Sequence, residues 1–293
     1  MNKVNPTLRY VISGLIYGTI GVFLHFINFS SEFVVLCRGI IGSLFICAIM
    51  LINKDLPNIK SIKDNLLLLL ISGICLGLNW IFLFAGYKYS VAITCLLNYF
   101  APIIVVIISA VVYKEKLVST QIICIAFALA GVILVSGIFD GAARVDVHCV
   151  IYGLLAAASF VVIVLCNRKM SYIKPLDKTL VQLFASAITV LPYVIMNNSF
   201  PKTFDVTSVV LVIILGIVNT GFAYILYFNS INSLSIDKVA ILGYVEPVLS
   251  IILGVLVLKE KITIFGIFGT EFIIISAAVN ELIANKNRIN GGQ

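Results

Sequence analysis

Two stretches of this chain repeat one another: NYFAPIIVVIISAVVYKEK at residues 98–116 and GYVEPVLSIILGVLVLKEK at residues 243–261. They are related by a constant offset of 145 residues, which pairs Pro102 with Pro247. Extended eight residues towards the N-terminus, the gap-free alignment covers 27 positions, of which 9 are identical. Most of the other positions exchange one apolar residue for another. A match of this length over an apolar segment indicates an internal duplication.

The composition is that of a membrane protein. Of the 293 residues, 61% are hydrophobic and 11% are charged, whereas soluble domains carry about 25% charged residues. The net charge of +7 is explained by basic cytoplasmic loops, so no nucleic-acid partner is expected. The seven cysteines lie mostly in apolar runs without metal-ligand spacing, which predicts small buried side chains, no metal site and no cofactor.

Ten apolar stretches are long enough to cross a bilayer, which takes about 20 residues of helix. The first follows a short polar N-terminus that has no small-residue cleavage site, which favours a transmembrane helix over a removed signal peptide. We therefore predict an all-α integral membrane protein with ten transmembrane helices near residues 8–29, 33–52, 65–87, 91–113, 119–139, 148–166, 179–197, 207–228, 238–258 and 262–284.

The duplication divides these helices into two halves of five, residues 1–140 and 141–293. Because five is odd, the second half enters the membrane from the opposite side, which makes an inverted-topology repeat. With the N-terminus inside, 14 lysines and arginines fall in cytoplasmic segments and 5 in outer segments. This bias predicts that both termini are cytoplasmic.

A fainter repeat relates the first and sixth predicted helices. VISGLIYGTIG in the first resembles VIYGLLAAASF in the sixth at an offset of 139 residues. Gly14 falls on Gly153, and Gly18 falls on Ala157. Small residues four apart allow close helix packing in lipid, so we expect these two helices to pack equivalently in the two halves.

A proline followed by Lys-Glu-Lys twelve to fourteen residues later occurs twice, with Glu246 before the second proline and Arg38 in the second predicted helix. This pattern resembles the two copies of the EamA-type domain of the drug/metabolite transporter superfamily, over essentially the whole chain. The resemblance implies a secondary transporter whose central cavity is lined by the first, third and fourth helices of each half. It implies a lipid bilayer and a small-molecule solute as partners, but not which solute.

We expect a secondary active transporter that moves a small metabolite (an amino acid, amine or drug-like solute) across the plasma membrane of a bacterium, as a monomer or homodimer. Inverted halves provide two packings of similar energy, which alternating access requires. Proton coupling is one option. An intramembrane enzyme is an alternative, although no His-Glu-x-x-His or Gly-x-Ser-x-Gly motif is present. A channel-like facilitator is a further alternative.

Two carboxyl groups are predicted near the middle of the membrane, where charge is costly and is usually retained for function. Glu246 and Glu271 correspond to Ala101 and Ala126 in the first half, so the repeat itself requires no acid there. A carboxyl group in a low-dielectric setting can exchange a proton near neutral pH. Both are therefore candidates for proton coupling, and Glu246 also for binding a cation. Structural hydrogen bonds, or a dimer contact for Glu271, are the alternatives.

Two basic side chains within predicted helices allow more than one interpretation. Arg38 can extend to the outer surface, pair with Glu32 or bind a substrate carboxylate. His25, in the outer part of the first helix, is predicted as a packed neutral imidazole, with a proton relay as the alternative.

Aromatic and amide side chains recur at matching places in the two halves. Collected around a cavity, they would bind an aromatic or quaternary-ammonium solute through stacking and cation–π attraction. The alternative is that they are ordinary core and lipid-facing residues. The predicted solute site consists of Asn79, Trp80, Tyr99, Asn219, Tyr224, Tyr244 and Glu246.

Pro102 and Pro247 each remove a backbone hydrogen bond, which predicts a kink within the fourth and ninth helices. They act either as a matched pair of gating hinges or as static kinks that widen the cavity. The Lys-Glu-Lys sequences at 114–116 and 259–261 are interpreted as helix ends whose lysines contact phospholipid.

Overall fold

The computed structural model describes residues 5–112, 119–135, 146–170, 172–231, 233–234 and 242–291. Within these ranges the chain forms helices and no strand, which confirms the all-α prediction. The helices are α1 (Pro6–Gly18), α2 (Ile20–His25), α3 (Ser31–Ile52), α4 (Ile59–Asp64), α5 (Leu66–Tyr87), α6 (Val91–Asn98), α7 (Ala101–Val112), α8 (Ser119–Val135), α9 (Val147–Lys169), α10 (Pro175–Met196), α11 (Val206–Gly216), α12 (Ala223–Ile231), α13 (Val245–Leu256) and α14 (Ile264–Gly291).

The apolar helices identify a multi-pass membrane protein. Each of the ten predicted spans overlaps at least one helix. Four shorter apolar helices overlap the fourth, fifth, ninth and tenth predictions. The number of ten crossings and the cytoplasmic termini stay predictions. Among the described residues, six helical stretches are long and apolar enough to cross a bilayer: Pro6–His25, Ser31–Ile52, Leu66–Tyr87, Val147–Lys169, Pro175–Met196 and Val206–Ser230.

Polar residues in the connections define where several helices begin. The Ser30 hydroxyl accepts a hydrogen bond from the backbone N–H of Phe33, and the Asp205 carboxylate accepts one from the N–H of Ser208 at 2.8 Å. These side chains satisfy first-turn donors that have no partner inside the helix. The bond from Ser208 lowers the pKa of Asp205 below its ordinary value. Polar residues in the loops therefore fix where these helices begin.

Small residues let the helices cross closely. A Cβ added to Gly39 of α3 would lie 3.0 Å from the Cβ of Ala187 in α10. In the pair formed by α8 and α14, a Cβ on Gly131 would lie 2.7 Å from the carbonyl oxygen of Gly269. Contact at backbone distance is a common way in which helices associate in lipid, where burial from water contributes nothing.

The first and sixth predicted helices make corresponding contacts. Gly18 of α1 lies against Leu249 of α13, and Ala157 of α9 packs in one cluster with Ile104 of α7. Ile104 and Leu249 are separated by the same 145 residues as the quoted repeats. These paired contacts support the expectation that both helices pack against equivalent partners.

The prolines do not lie within uninterrupted helices, which corrects one expectation. Pro102 is in the first turn of α7, and Pro247 is in the first turn of α13. The fourth predicted span instead breaks at residues 99–100, where the N–H of Phe100 bonds the carbonyl of Leu97 at 3.0 Å. Proline is tolerated in a first turn because the N–H it lacks has no helical partner there. The predicted helix end at 114–116 lies outside the described residues.

Candidate functional site

Two interrupted helices meet inside the bundle. The first predicted span breaks at Thr19, between α1 and α2, and the eighth contains a π-helical turn at Ile217–Phe222. The side-chain amide of Asn219 donates to the carbonyl of Ile16 at 2.7 Å and to the Thr19 hydroxyl at 3.0 Å. The π-helical turn thus supplies a polar partner to the break at Thr19, as irregular backbone at membrane depth requires.

Arg38 is held next to the π-helical turn. Its Nε donates to the Thr220 hydroxyl at 2.6 Å, and its guanidinium carbon lies 4.1 Å from the centre of the Trp80 ring. The side chain is only 3% exposed, so extension to the outer surface, one of the three alternatives for Arg38, is wrong. Cation–π stacking and a charge-assisted hydrogen bond stabilise the buried charge. One face of the guanidinium therefore lies against Trp80, and its Nε is bound to Thr220.

Glu246 lies in the first turn of α13, where α13 packs on α1. A Cβ added to Gly18 would lie 3.0 Å from the carbonyl oxygen of Glu246. The Tyr99 hydroxyl is in hydrogen-bonding reach of the Glu246 carboxylate, and Arg38 is near enough to attract it electrostatically. The side chain is half-buried, although helices surround it. Glu246 is therefore a carboxyl group that remains partly accessible among packed helices.

Tyrosines from both halves surround Glu246. The rings of Tyr17 and Tyr224 lie 5.8 Å apart, and those of Tyr99 and Tyr244 lie 6.0 Å apart. The hydroxyls of Tyr17, Tyr99 and Tyr224 are all near enough to Glu246 to interact with its charge. We call the following set the central site: Tyr17, Arg38, Trp80, Tyr99, Tyr224, Tyr244 and Glu246.

The two amides predicted to bind solute also hold helices together. Asn79 is buried and donates to Asn98 Oδ1 at 3.1 Å and to the carbonyl of Ala156 at 2.9 Å. It thereby connects α5 to α6 and α9. Asn219 connects the π-helical turn to α1, as described above. Among the described residues, the buried Oδ1 of Asn219 and the hydroxyl of Tyr17 have no hydrogen-bond partner.

Glu271 and His25 lie away from the central site. Glu271 is exposed on α14, the helix that packs against α8. His25 is exposed too, so the expectation of a packed imidazole is wrong. It lines a cleft of about 160 Å³ together with Tyr87 and Lys88. Phe84 belongs to the same cleft and lies 5.7 Å from the guanidinium carbon of Arg38, so the cleft reaches towards the central site.

Tyr17 and the role of Thr220 were not predicted from the sequence. Tyr17 carries no signal beyond being a polar aromatic residue in a predicted span. Thr220 follows Asn219, an amide in an apolar stretch that was predicted to bind solute, but no periodicity in the sequence indicates a π-helical turn. The contacts of these two residues depend on how distant helices pack.

Comparisons with known proteins agree with this architecture. The EamA-like transporter family matches residues 8–137 and again residues 148–281. This chain is 26% identical to the uncharacterized transporter YxxF of Bacillus subtilis, over 98% of this chain and 93% of YxxF. It is also 21% identical to protein PecM of Dickeya dadantii, over 77% of this chain and 75% of PecM. A solved crystal structure, 20% identical, superposes with a TM-score of 0.64 over 95% of this chain and 98% of its own.

Proposed function

The chain belongs to the EamA-like transporter family, and we propose that it is a secondary active transporter of a small metabolite. Family membership and the apolar helices make it a multi-pass membrane transporter, and its bacterial relatives agree with a cell-membrane location. In the proposal, residues 1–140 and 141–293 form inverted five-helix repeats that alternate between two packings. The solute is an amino acid, an amine or a drug-like molecule.

One observation carries the proposal: a carboxylate and a guanidinium lie in the interior of the bundle, surrounded by tyrosines from both halves. Glu246 and Tyr224 belong to the second half, and Arg38 and Tyr99 belong to the first. Buried charges in a membrane are costly and are usually retained where a solute or ion passes. A site built across two halves also changes shape when the halves move, which couples binding to transport.

We assign Glu246 the role of the coupling group, which either takes up a proton or binds a cationic part of the solute. Trp80, Tyr99, Tyr224 and Tyr244 would contact the solute through their rings, as cation–π attraction and stacking allow. Asn79 and Asn219 would fix the helices that carry these rings. Glu271 is the weaker candidate for coupling because it is exposed on α14.

Uptake by proteoliposomes tests the proposal. Thermal stabilisation of the purified protein by amino acids, amines, nucleosides and sugars would first identify a solute. Uptake of that solute should saturate, show competition and depend on pH. Glu246→Gln should abolish the pH dependence and lower uptake at least tenfold, whereas Glu271→Gln, the matched control, should retain uptake. Full pH-dependent uptake by Glu246→Gln would contradict the coupling role, and flux that never saturates would favour a channel.

A further inference from the structure

Glu260 follows α13, and its carboxylate reaches across to the start of α6. It accepts hydrogen bonds from the Ser90 hydroxyl at 2.7 Å, the N–H of Val91 at 2.6 Å and the N–H of Ala92 at 3.1 Å. N–H groups at the start of a helix have no partner within it. A carboxylate from the second half of the chain therefore caps a helix of the first half.

The chain after α13 turns so that Glu260 points back into the bundle. Lys259 adopts a left-handed backbone conformation with φ of 59°, and the N–H of Glu260 donates to the carbonyl of Gly254 at 3.0 Å. A Cβ on Gly254 would lie 3.2 Å from Glu260 Oε2 and 3.3 Å from the Cβ of Ala92. The absence of a side chain at Gly254 thus gives the carboxylate its place beside α6.

This contact closes the gap between α6 and α13 at one end of the bundle. Val91 and Ala92 are each 2% exposed, and Gly21 of α2 packs so closely on Val91 that an added Cβ would overlap it. Cys95, one turn further along α6, is 1% exposed. Its thiol is in hydrogen-bonding reach of Ser250 in α13 and of Tyr87, which also lines the cleft. The contact between Glu260 and α6 therefore lies between that end of the bundle and the central site.

We propose that Glu260 and Ser90 form a clasp that keeps this end of the central site closed and must open for solute to pass there. The inference rests on the proposed alternating access. Tyr99, which follows α6, and Glu246, at the start of α13, both belong to the central site, so release of solute at this end requires these two helices to separate. The helix dipole and the charge of the carboxylate strengthen the hydrogen bonds while the end is closed.

The clasp suits a reversible contact. When α6 and α13 separate, water replaces each lost hydrogen bond on both partners, so opening costs much less than the bonds themselves are worth. Removing the carboxylate should therefore shift the balance between closed and open packings by about tenfold, the change expected for a difference of about 1.4 kcal/mol. Glu260 and Ser90 are positioning residues in this proposal, because they act on access and not on the solute.

The buried thiol of Cys95 provides the test. In protein whose other cysteines are replaced by alanine, the rate at which a membrane-impermeant maleimide labels Cys95 reports how often this end opens. Applied in sealed vesicles from the side on which Ser90 lies, the reagent should label Glu260→Ala about tenfold faster than the parent, the change expected for a shift of about 1.4 kcal/mol towards the open packing. Ser90→Ala, which removes one of the three hydrogen bonds, should give a smaller increase.

Glu32→Gln is the matched control. Glu32 lies in the first turn of α3, and its neighbour Ser31 lines the same cleft as Tyr87, at the same end of the bundle. The Glu32→Gln substitution should leave the labelling rate of Cys95 unchanged. Unchanged labelling in both Glu260→Ala and Ser90→Ala, in protein that elutes and melts like the parent, would overturn the clasp.

Uptake measured on the same preparations separates this proposal from the proposed function. Faster labelling of Glu260→Ala with no saturable uptake by the parent would support the clasp and contradict the transporter mechanism. Normal uptake by the parent with unchanged labelling of the variants would overturn the clasp alone.

Discussion

Thr220→Val should destabilise the protein by releasing Arg38. The Thr220 hydroxyl accepts from Arg38 Nε at 2.6 Å and donates to the carbonyl of Leu215 at 2.9 Å, and Thr220 is fully buried. Valine preserves the methyl group that packs on Gly42 but leaves both polar partners unsatisfied. The remaining bond from Arg38, to the carbonyl of Asn219, is 3.5 Å long and too weak to compensate. We expect a loss of about 1–3 kcal/mol in the free energy of unfolding.

Thr189→Val is the matched control. The Thr189 hydroxyl donates only to the carbonyl of Ala185 within its own helix, at 2.8 Å. This variant should lose no more than about 0.5 kcal/mol. Reversible unfolding in mixed micelles measures both free energies. A double-mutant cycle between Thr220→Val and Arg38→Met should give a coupling near 1 kcal/mol, in the upper range for membrane helices. Equal losses in the two threonine variants, or no coupling to Arg38, would refute the reasoning.

Three further predictions concern packing and capping. Gly18→Ala should lower both stability and uptake, because its Cβ would lie 2.9 Å from Leu249, beside Glu246. Gly14→Ala should be tolerated, because its Cβ would have no neighbour nearer than 3.4 Å. The melting temperature and the rate of uptake of the two variants test this difference. Gly131→Ala should lower the melting temperature but leave the affinity for solute unchanged, because the nearest neighbours of its Cβ are Gly269 and Ile273 of α14 and not residues of the central site. The Ser208 N–H lowers the pKa of Asp205. The ionised Asp205 therefore stabilises the fold above the ordinary carboxyl pKa of about 3.9, and this stabilisation is lost as the pH falls below that value. Melting temperatures at pH 7 and pH 3 should differ less for Asp205→Asn than for the parent.

The positions of the helices were predictable because they depend on local composition. Each apolar run is bounded by residues such as Ser30 and Asp205, which cap helices for reasons that hold in any sequence. The pairing of Pro102 with Pro247 likewise follows from the repeated sequence. The interruption was predicted at Pro102 but lies at residues 99–100. A proline indicates that a helix is interrupted, but not whether the interruption lies before or after the proline.

Side-chain partners were less predictable because they join residues far apart in the chain. Glu246 was identified as a charge in an apolar run, but its neighbour Tyr99 depends on the packing of the two halves. For Arg38 the sequence left three alternatives open, and none of them included Thr220, since nothing local indicates that its hydroxyl accepts from the Arg38 Nε. Glu260 was treated as part of a helix end, although its carboxylate bonds groups about 170 residues earlier in the chain.

The π-helical turn at Ile217–Phe222 affects every residue that follows it in its span. A π-helical turn holds one residue more than a regular turn of the same rise, and one residue corresponds to about 100° of rotation about the helix axis. Deleting a single residue from this turn should thus restore a regular helix and swing Tyr224 away from Tyr17. In this protein a deletion would make the helix locally more regular and remove one aromatic ring from the central site. Because the same turn carries Asn219 and Thr220, the deletion should also break their hydrogen bonds to Ile16 and Arg38 and destabilise the protein.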